Sequence, residues 1–111
     1  MQDCIFCKIV RGELSSKKEY EDEEALIFQN IEPKAEVHLI AIPKKHISSF
    51  LDLDNEMGSL VKAVQSLIRD KGLGSEYKLL INGGKHQQVP HFHLHILSGK
   101  MGTDKDLLNQ I

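Results

Sequence analysis

Hydrophobic and polar residues change period several times along this chain. Near its start, "CIFCKIVRGE" sets Ile5, Phe6, Ile9 and Val10 at helical spacing ahead of Gly12. That predicts one or two helical turns stopped by the glycine. "KKEYEDEEALIFQN" reads as a hairpin turning near Asp22–Glu24, and "EVHLIAIP" as a strand ended by Pro43. "LDLDNEMGSLVKAVQSLIRDKGLG" carries the one long helix, with Met57, Leu60, Val61, Val64, Leu67 and Ile68 in a single apolar stripe. Asp54 can cap it, Glu56 suits its first turn, and Gly72 can end it in the left-handed conformation. "EYKLLIN" and "HFHLHIL" follow as two strands joined by the loop "GGKHQQVP". The order of short helix, three strands, long helix and two strands predicts an α+β fold, an antiparallel sheet of about five strands with one long and one short N-terminal helix. The 111 residues suit one domain, 1–111, with 99–111 as a short polar tail.

The pattern raises one chemical question. In "VPHFHLHILSG", His91, His93 and His95 alternate with Phe92, Leu94 and Ile96. On a strand the three imidazoles would share a face, about 6.5–7 Å apart at Cα, while the apolar residues pack on the core. A solvent-facing strand is usually lined by Thr, Lys, Glu or Ser rather than histidine. Three clustered imidazoles suit a zinc site, since H-x-H on a strand chelates well. They equally suit a phosphate-directed site, where neutral imidazole is a nucleophile. A backbone carbonyl accepting from Nδ1 would leave Nε2 as the attacking atom.

Composition narrows the partners. With 14 basic and 16 acidic residues the formal charge is -2, which provides no electrostatic footprint for nucleic acid and no basic helix for a membrane surface. The longest apolar runs are too short to span a bilayer, and the N-terminal stretch lacks the apolar core of a signal peptide. A cytoplasmic protein with Cys4 and Cys7 reduced is expected. Metal binding, redox chemistry and plain burial all stay open for Cys4-x-x-Cys7, although a thioredoxin-like motif would need a preceding strand.

"CIFCKIVRGE", "NIEPKAEVHLIAIPKKH" and "QQVPHFHLHIL", in that order, resemble the histidine triad (HIT) family, nearest its Hint-like branch, from about Asp3 to Gly99. The resemblance implies a HIT-like fold and nucleotidyl transfer or hydrolysis at the α-phosphate of purine nucleotide conjugates, such as phosphoramidates, AMP esters or dinucleotides. His93 would be the nucleophile, forming a covalent nucleotidyl-imidazole. His95 would hydrogen-bond the α-phosphate, His91 would sit behind the nucleophile, and His38 would orient the group. Asn82 would contact phosphate and ribose, and Asn30 the ribose hydroxyls. Ile5, Phe6, Ile9, Phe28 and Ile31 match the apolar nucleoside pocket, although these residues by themselves read as core. No metal is demanded for the chemistry, and a homodimer is expected.

The chain also departs from the family pattern. The Hint-like branch usually has a serine three residues before the first triad histidine, against the leaving group; here it is Gln88. Gln87 matches a glutamine common in the family. Some bacterial relatives pair C-x-x-C with two histidines to bind structural zinc, and the matching set here is Cys4, Cys7, His46 and His91. Two other readings compete with the hydrolase. One is a nucleotide-binding or scaffold protein with little turnover, motivated by Gln88. The other is a zinc hydrolase with His91, His93 and His95 as ligands.

Overall fold

The computed structural model describes residues 4–101. Its elements are α1 (Ile5–Val10), β1 (Lys18–Glu21), β2 (Ala25–Gln29), β3 (Ala35–Pro43), α2 (Glu56–Asp70), β4 (Lys78–Ile81) and β5 (Leu94–Met101). Short 3₁₀ turns lie at Phe50–Asp52 and Gly84–His86. The strands form one antiparallel sheet in the order β1-β2-β3-β5-β4. The predicted α+β class and strand number are what the chain adopts.

The chain alternation assigns each sheet face its own cover. Ala25, Ile27, Leu39, Ala41, Leu94 and Ile96 point to one side and pack on Leu60, Ala63, Val64, Leu67 and Ile68 of α2. Leu26, Phe28, Ile40 and Ile42 point to the other, against Cys4, Phe6, Cys7 and Ile9 at α1. Burying a Leu, Ile or Val side chain is worth roughly 1.5–3 kcal/mol. Packing, not capping, therefore holds α2, because its N-cap is Asn55 and makes no side-chain cap bond. The expected cap at Asp54 is not formed: its N–H instead donates to Glu56 Oε1 at 2.8 Å. Val61, expected in the stripe, is 39% exposed, and Ala63 is buried in its place.

Both helices stop as their glycines predict. Gly72 has φ +69°, and the N–H groups of Gly72 and Leu73 donate to the carbonyls of Arg69 and Ile68 at 3.1 and 2.9 Å, a Schellman closure. Gly12, at φ +79°, ends α1 the same way, with the N–H groups of Gly12 and Glu13 on the carbonyls of Ile9 and Lys8.

The last strand differs from the expected one at both ends. His91, Phe92 and His93 precede β5 rather than belonging to it. Phe92 N–H donates to Ile47 O at 2.6 Å, and Pro43 O accepts from the His91 ring at 2.8 Å rather than from a ladder amide. At the other end β5 runs through Gly99 to Met101, so 99–101 belong to the sheet and not to a tail; residues 102–111 lie outside the described residues. The β3–β5 register shifts between Ala35 and Val37. Gly99 has φ +76° at this bulge, and a Cβ there would meet Glu36. Gly99→Ala is expected to lower unfolding free energy by about 1–2 kcal/mol, read as a lower urea midpoint with unchanged slope.

Candidate active site and metal centre

The β3–β5 pairing sets Ile40 opposite His95 and Leu39 opposite Ile96. His38 and His95 therefore lie on the α1 side of the sheet, where side chains alternate away from α2. Their rings are 5.1 Å apart, and the His93 ring is 5.1 Å from that of His95. Phe6 of α1 packs edge-on against His93 at 5.2 Å and against Phe28 at 5.6 Å. A cavity of about 440 Å³ opens beside them. Its lining includes Ile5, Phe6, Ile9, Phe28, Asn30, Ile31, Gln88, His93 and His95. Phe6, Ile9 and Phe28 are both core and cavity wall, whereas Ile5 and Ile31 are exposed at the rim.

Backbone groups fix which ring nitrogens carry hydrogen. Lys34 N–H donates to His38 Nδ1 at 2.9 Å, so the neutral His38 ring is protonated at Nε2. That Nε2–H donates to His95 Nδ1 at 2.9 Å, which puts the His95 proton on Nε2. His95 Nε2 is buried without a partner and belongs to a residue lining the cavity. The Asn30 amide nitrogen lies 3.2 Å from His38 Nε2; both atoms bear hydrogen in this arrangement, so it is a close approach rather than a competing acceptor. His93 Nδ1–H donates to His91 O at 2.9 Å, leaving His93 Nε2 with its lone pair.

Burial keeps the rings neutral. It depresses His38 to about 4, with the Lys34 charge adding to the effect. It depresses His95 to about 3, helped by His93 and His38. His93 is also lowered by burial, against a smaller upward pull from its bond to the His91 carbonyl.

His91 turns elsewhere. Its Nε2–H donates to Pro43 O, so Nδ1 is the bare nitrogen, 3.5 Å from Cys4 Sγ and 3.6 Å from Cys7 Sγ. His46 Nδ1 lies 3.2 Å from Cys7 Sγ, and the four donor atoms all fall within 4.8 Å of one another. Zinc bond lengths put the S···N edge of a tetrahedron at about 3.6 Å. Cys4, Cys7, His46 and His91 can thus hold a metal ion, and none of them lines the large cavity. Among the described residues this is the one cluster with metal-ligand spacing. His91, His93 and His95 are not grouped as a ligand set: His91 gives Nε2–H to Pro43 O and turns Nδ1 to the cysteines, and only His93 and His95 line the cavity.

Several expected site residues stand apart from the cavity. His38 is not in its wall and lines a smaller cleft of about 190 Å³ that shares Gln29 and Asn30 with it. Asn82 follows β4, the edge strand beyond β5, and is not in the cavity wall. Gln87 is likewise absent, its amide donating to Ser48 O and Val89 O at 2.6 and 2.9 Å. Ser15, Ser16, Gln29, Glu32, Lys34, Ile40 and Val89 line the cavity without having been singled out. The register of "SSKK" beside "FQN" across the first hairpin was the available signal for the two serines.

An α+β domain with a cluster of neutral imidazoles on a cavity is the class this architecture defines. The family model described as scavenger mRNA decapping enzyme C-term binding matches residues 3–107. The chain is 39% identical over 103 residues to Protein HitA of Neisseria gonorrhoeae, covering 87% of this chain and 96% of that protein. It superposes on a histidine triad protein from Clostridium difficile with TM-score 0.85 and 37% identity, over 94% of this chain and 96% of the other. A HIT family hydrolase from Legionella pneumophila matches with TM-score 0.84 and 35% identity, over 92% and 97%. The chain belongs to the histidine triad family.

The depressed histidines predict a pH dependence of stability. Below the ordinary imidazole value of 6.5 the unfolded chain takes up protons that folded His38 and His95 refuse until about 4 and about 3. Stability present above 6.5 is therefore lost as pH falls through that window. The melting temperature should already fall below 6.5, before carboxylates begin to titrate. His38→Asn should flatten that upper part of the slope; an unchanged slope would contradict the assignment.

Proposed function

We propose that this protein is a nucleotide hydrolase or nucleotidyl transferase acting at the α-phosphate of purine nucleotide conjugates, with His93 as the nucleophile. The observation that carries the reading is the Nδ1–H bond from His93 to the His91 carbonyl. It presents an unprotonated Nε2 in a water-poor wall, the arrangement an imidazole nucleophile needs. The His93 lone pair attacks phosphorus, and the P–N or P–O bond breaks, its electron pair leaving with an amine or alcohol that takes up a proton. Water then attacks the nucleotidyl-imidazole, loses a proton, and returns the electron pair to His93.

In this reading His95 Nε2–H donates to a non-bridging phosphate oxygen, and its support from His38 and Lys34 N–H reduces reorganisation as charge develops there. In this reading Phe6, Ile9 and Phe28 hold the purine, with Ile5 and Ile31 closing the rim, while Asn30 is at hand for the ribose. Asn82 and Gln87 would act only if a further element or a second chain completed the site. Gln88, which lines the cavity where the resemblance expects serine, favours a second reading as a nucleotide-binding protein with little turnover.

The Cys4, Cys7, His46 and His91 group suits structural zinc. When bound, zinc would supply a closed tetrahedral tie with no open position for substrate. His91 Nδ1 is already free of hydrogen for that role. A homodimer is supported by the sheet: α2 packs on β1, β2 and β3. Leu79 and Ile81 of β4 pair with Ile96 and Leu94, hence face the same side, and are 46% and 38% exposed. Both cysteines are free thiols, which accords with a reducing compartment, and no helix among the described residues is long and apolar enough to cross a membrane.

The test is turnover of an adenosine phosphoramidate and of a matched AMP ester. His93→Ala should lose on the order of 10⁴-fold or more in kcat while still binding AMP by calorimetry. Wild-type turnover in that variant would overturn the nucleophile, and binding without turnover in the wild type would favour the second reading. Cys7→Ser should lose bound zinc by elemental analysis and melt at lower temperature, with kcat per folded molecule retained. A variant that keeps stoichiometric zinc would rule the ligand set out.

A further inference from the structure

Among the described residues, two buried side-chain polar atoms lack a hydrogen-bond partner, His95 Nε2 and Ser16 Oγ. Both residues line the same 440 Å³ cavity. An unsatisfied buried polar atom is uncommon and calls for a reason. For His95 the proposed phosphate supplies one. Ser16 sits at the other end of the sheet order. Lys17 O accepts from Gln29 N–H at 3.0 Å, and Lys18 pairs with Phe28, so Ser16 lies just ahead of β1 beside the end of β2. The wall between the two ends is apolar: His93 touches Phe6, and Phe6 touches Phe28.

We infer that the Ser16 hydroxyl reads the hydrogen-bonding edge of the nucleotide base. A nucleotide with its phosphate at His95 and its base in the slot of Phe6, Ile9 and Phe28 points the far edge of that base toward β1. A hydroxyl can both donate and accept, so Ser16 can meet a ring nitrogen, an amino group or a carbonyl at that edge. The apolar slot takes any flat ring; of the polar side chains at its β1 end, Ser16 has the buried hydroxyl without a partner, which can distinguish a base from an equally flat apolar ring. This inference rests on the nucleotide reading of the cavity.

The test is nucleotide affinity of wild type and Ser16→Ala by NMR titration with AMP, GMP and ribose 5-phosphate, with thermal melting to verify the fold. Removing one neutral hydrogen bond should weaken AMP, GMP or both by about 5- to 10-fold. Ribose 5-phosphate, which has no base, should bind wild type and variant alike. Equal weakening of all three ligands would place the hydroxyl at the sugar or phosphate and overturn the inference, as would no change in any. If the wild type bound none of the three, the nucleotide reading itself would fall and this inference with it. If the wild type bound AMP and the variant behaved identically, only the role of Ser16 would fall.

Discussion

The register between β3 and β5 is the constraint on which the rest of the molecule depends. It places Ile40 opposite His95 and Leu39 opposite Ile96, so that apolar residues meet α2 and imidazoles meet α1. A one-residue slip would exchange the faces, sending His95 into the main core and Ile96 into the cavity. What prevents the slip is packing: Leu39, Ala41, Leu94 and Ile96 are all buried against the α2 side. The chemistry of one face is thus held in place by the hydrophobic burial of the other.

Within that frame the decisive quantity is the direction of each hydrogen bond. A neutral imidazole has one donor and one acceptor nitrogen, and desolvation keeps His38, His93 and His95 on the neutral side. Each ring is then oriented by a single choice made at one end. Lys34 N–H makes it for His38 and, through His38, for His95; the His91 carbonyl makes it for His93. His91 itself is settled by Pro43 O in the opposite sense, with Nε2 protonated and Nδ1 turned to the cysteines. Neighbouring histidines of one motif are set to different tasks by which main-chain group each one meets.

Much of this was legible in the sequence because it is periodic. The stripe from Met57 to Ile68, the alternation in "HLIAIP" and the glycines after both helices report local geometry directly. The cavity wall of Ile5, Phe6, Ile9, Phe28 and Ile31 and the cluster of Cys4, Cys7, His46 and His91 were legible through family resemblance, since no local period brings residues so far apart together. What stayed hidden depends on non-local pairing. Pro43 ends the ladder available to His91–His93, so the strand starts later than its alternation suggests. Gln87 is drawn to carbonyls at Ser48 and Val89, a competition no pattern displays. Ser16 looks like an ordinary loop serine until the β1–β2 hairpin sets it beside Phe28 and Asn30.

The acceptor that orients His93 is a main-chain oxygen, and no codon specifies a peptide carbonyl. Whatever residue evolution places at position 91, that oxygen remains, and it brings no charge that would have to be desolvated along with the ring. The side chain at 91 makes its own contacts, through Nε2 with Pro43 O and through Nδ1 with the cysteine pair. Substitution at 46 or of the 91 side chain leaves this acceptor for the His93 ring in place. One residue thus carries two properties that substitution can separate, because one belongs to its backbone and the other to its side chain.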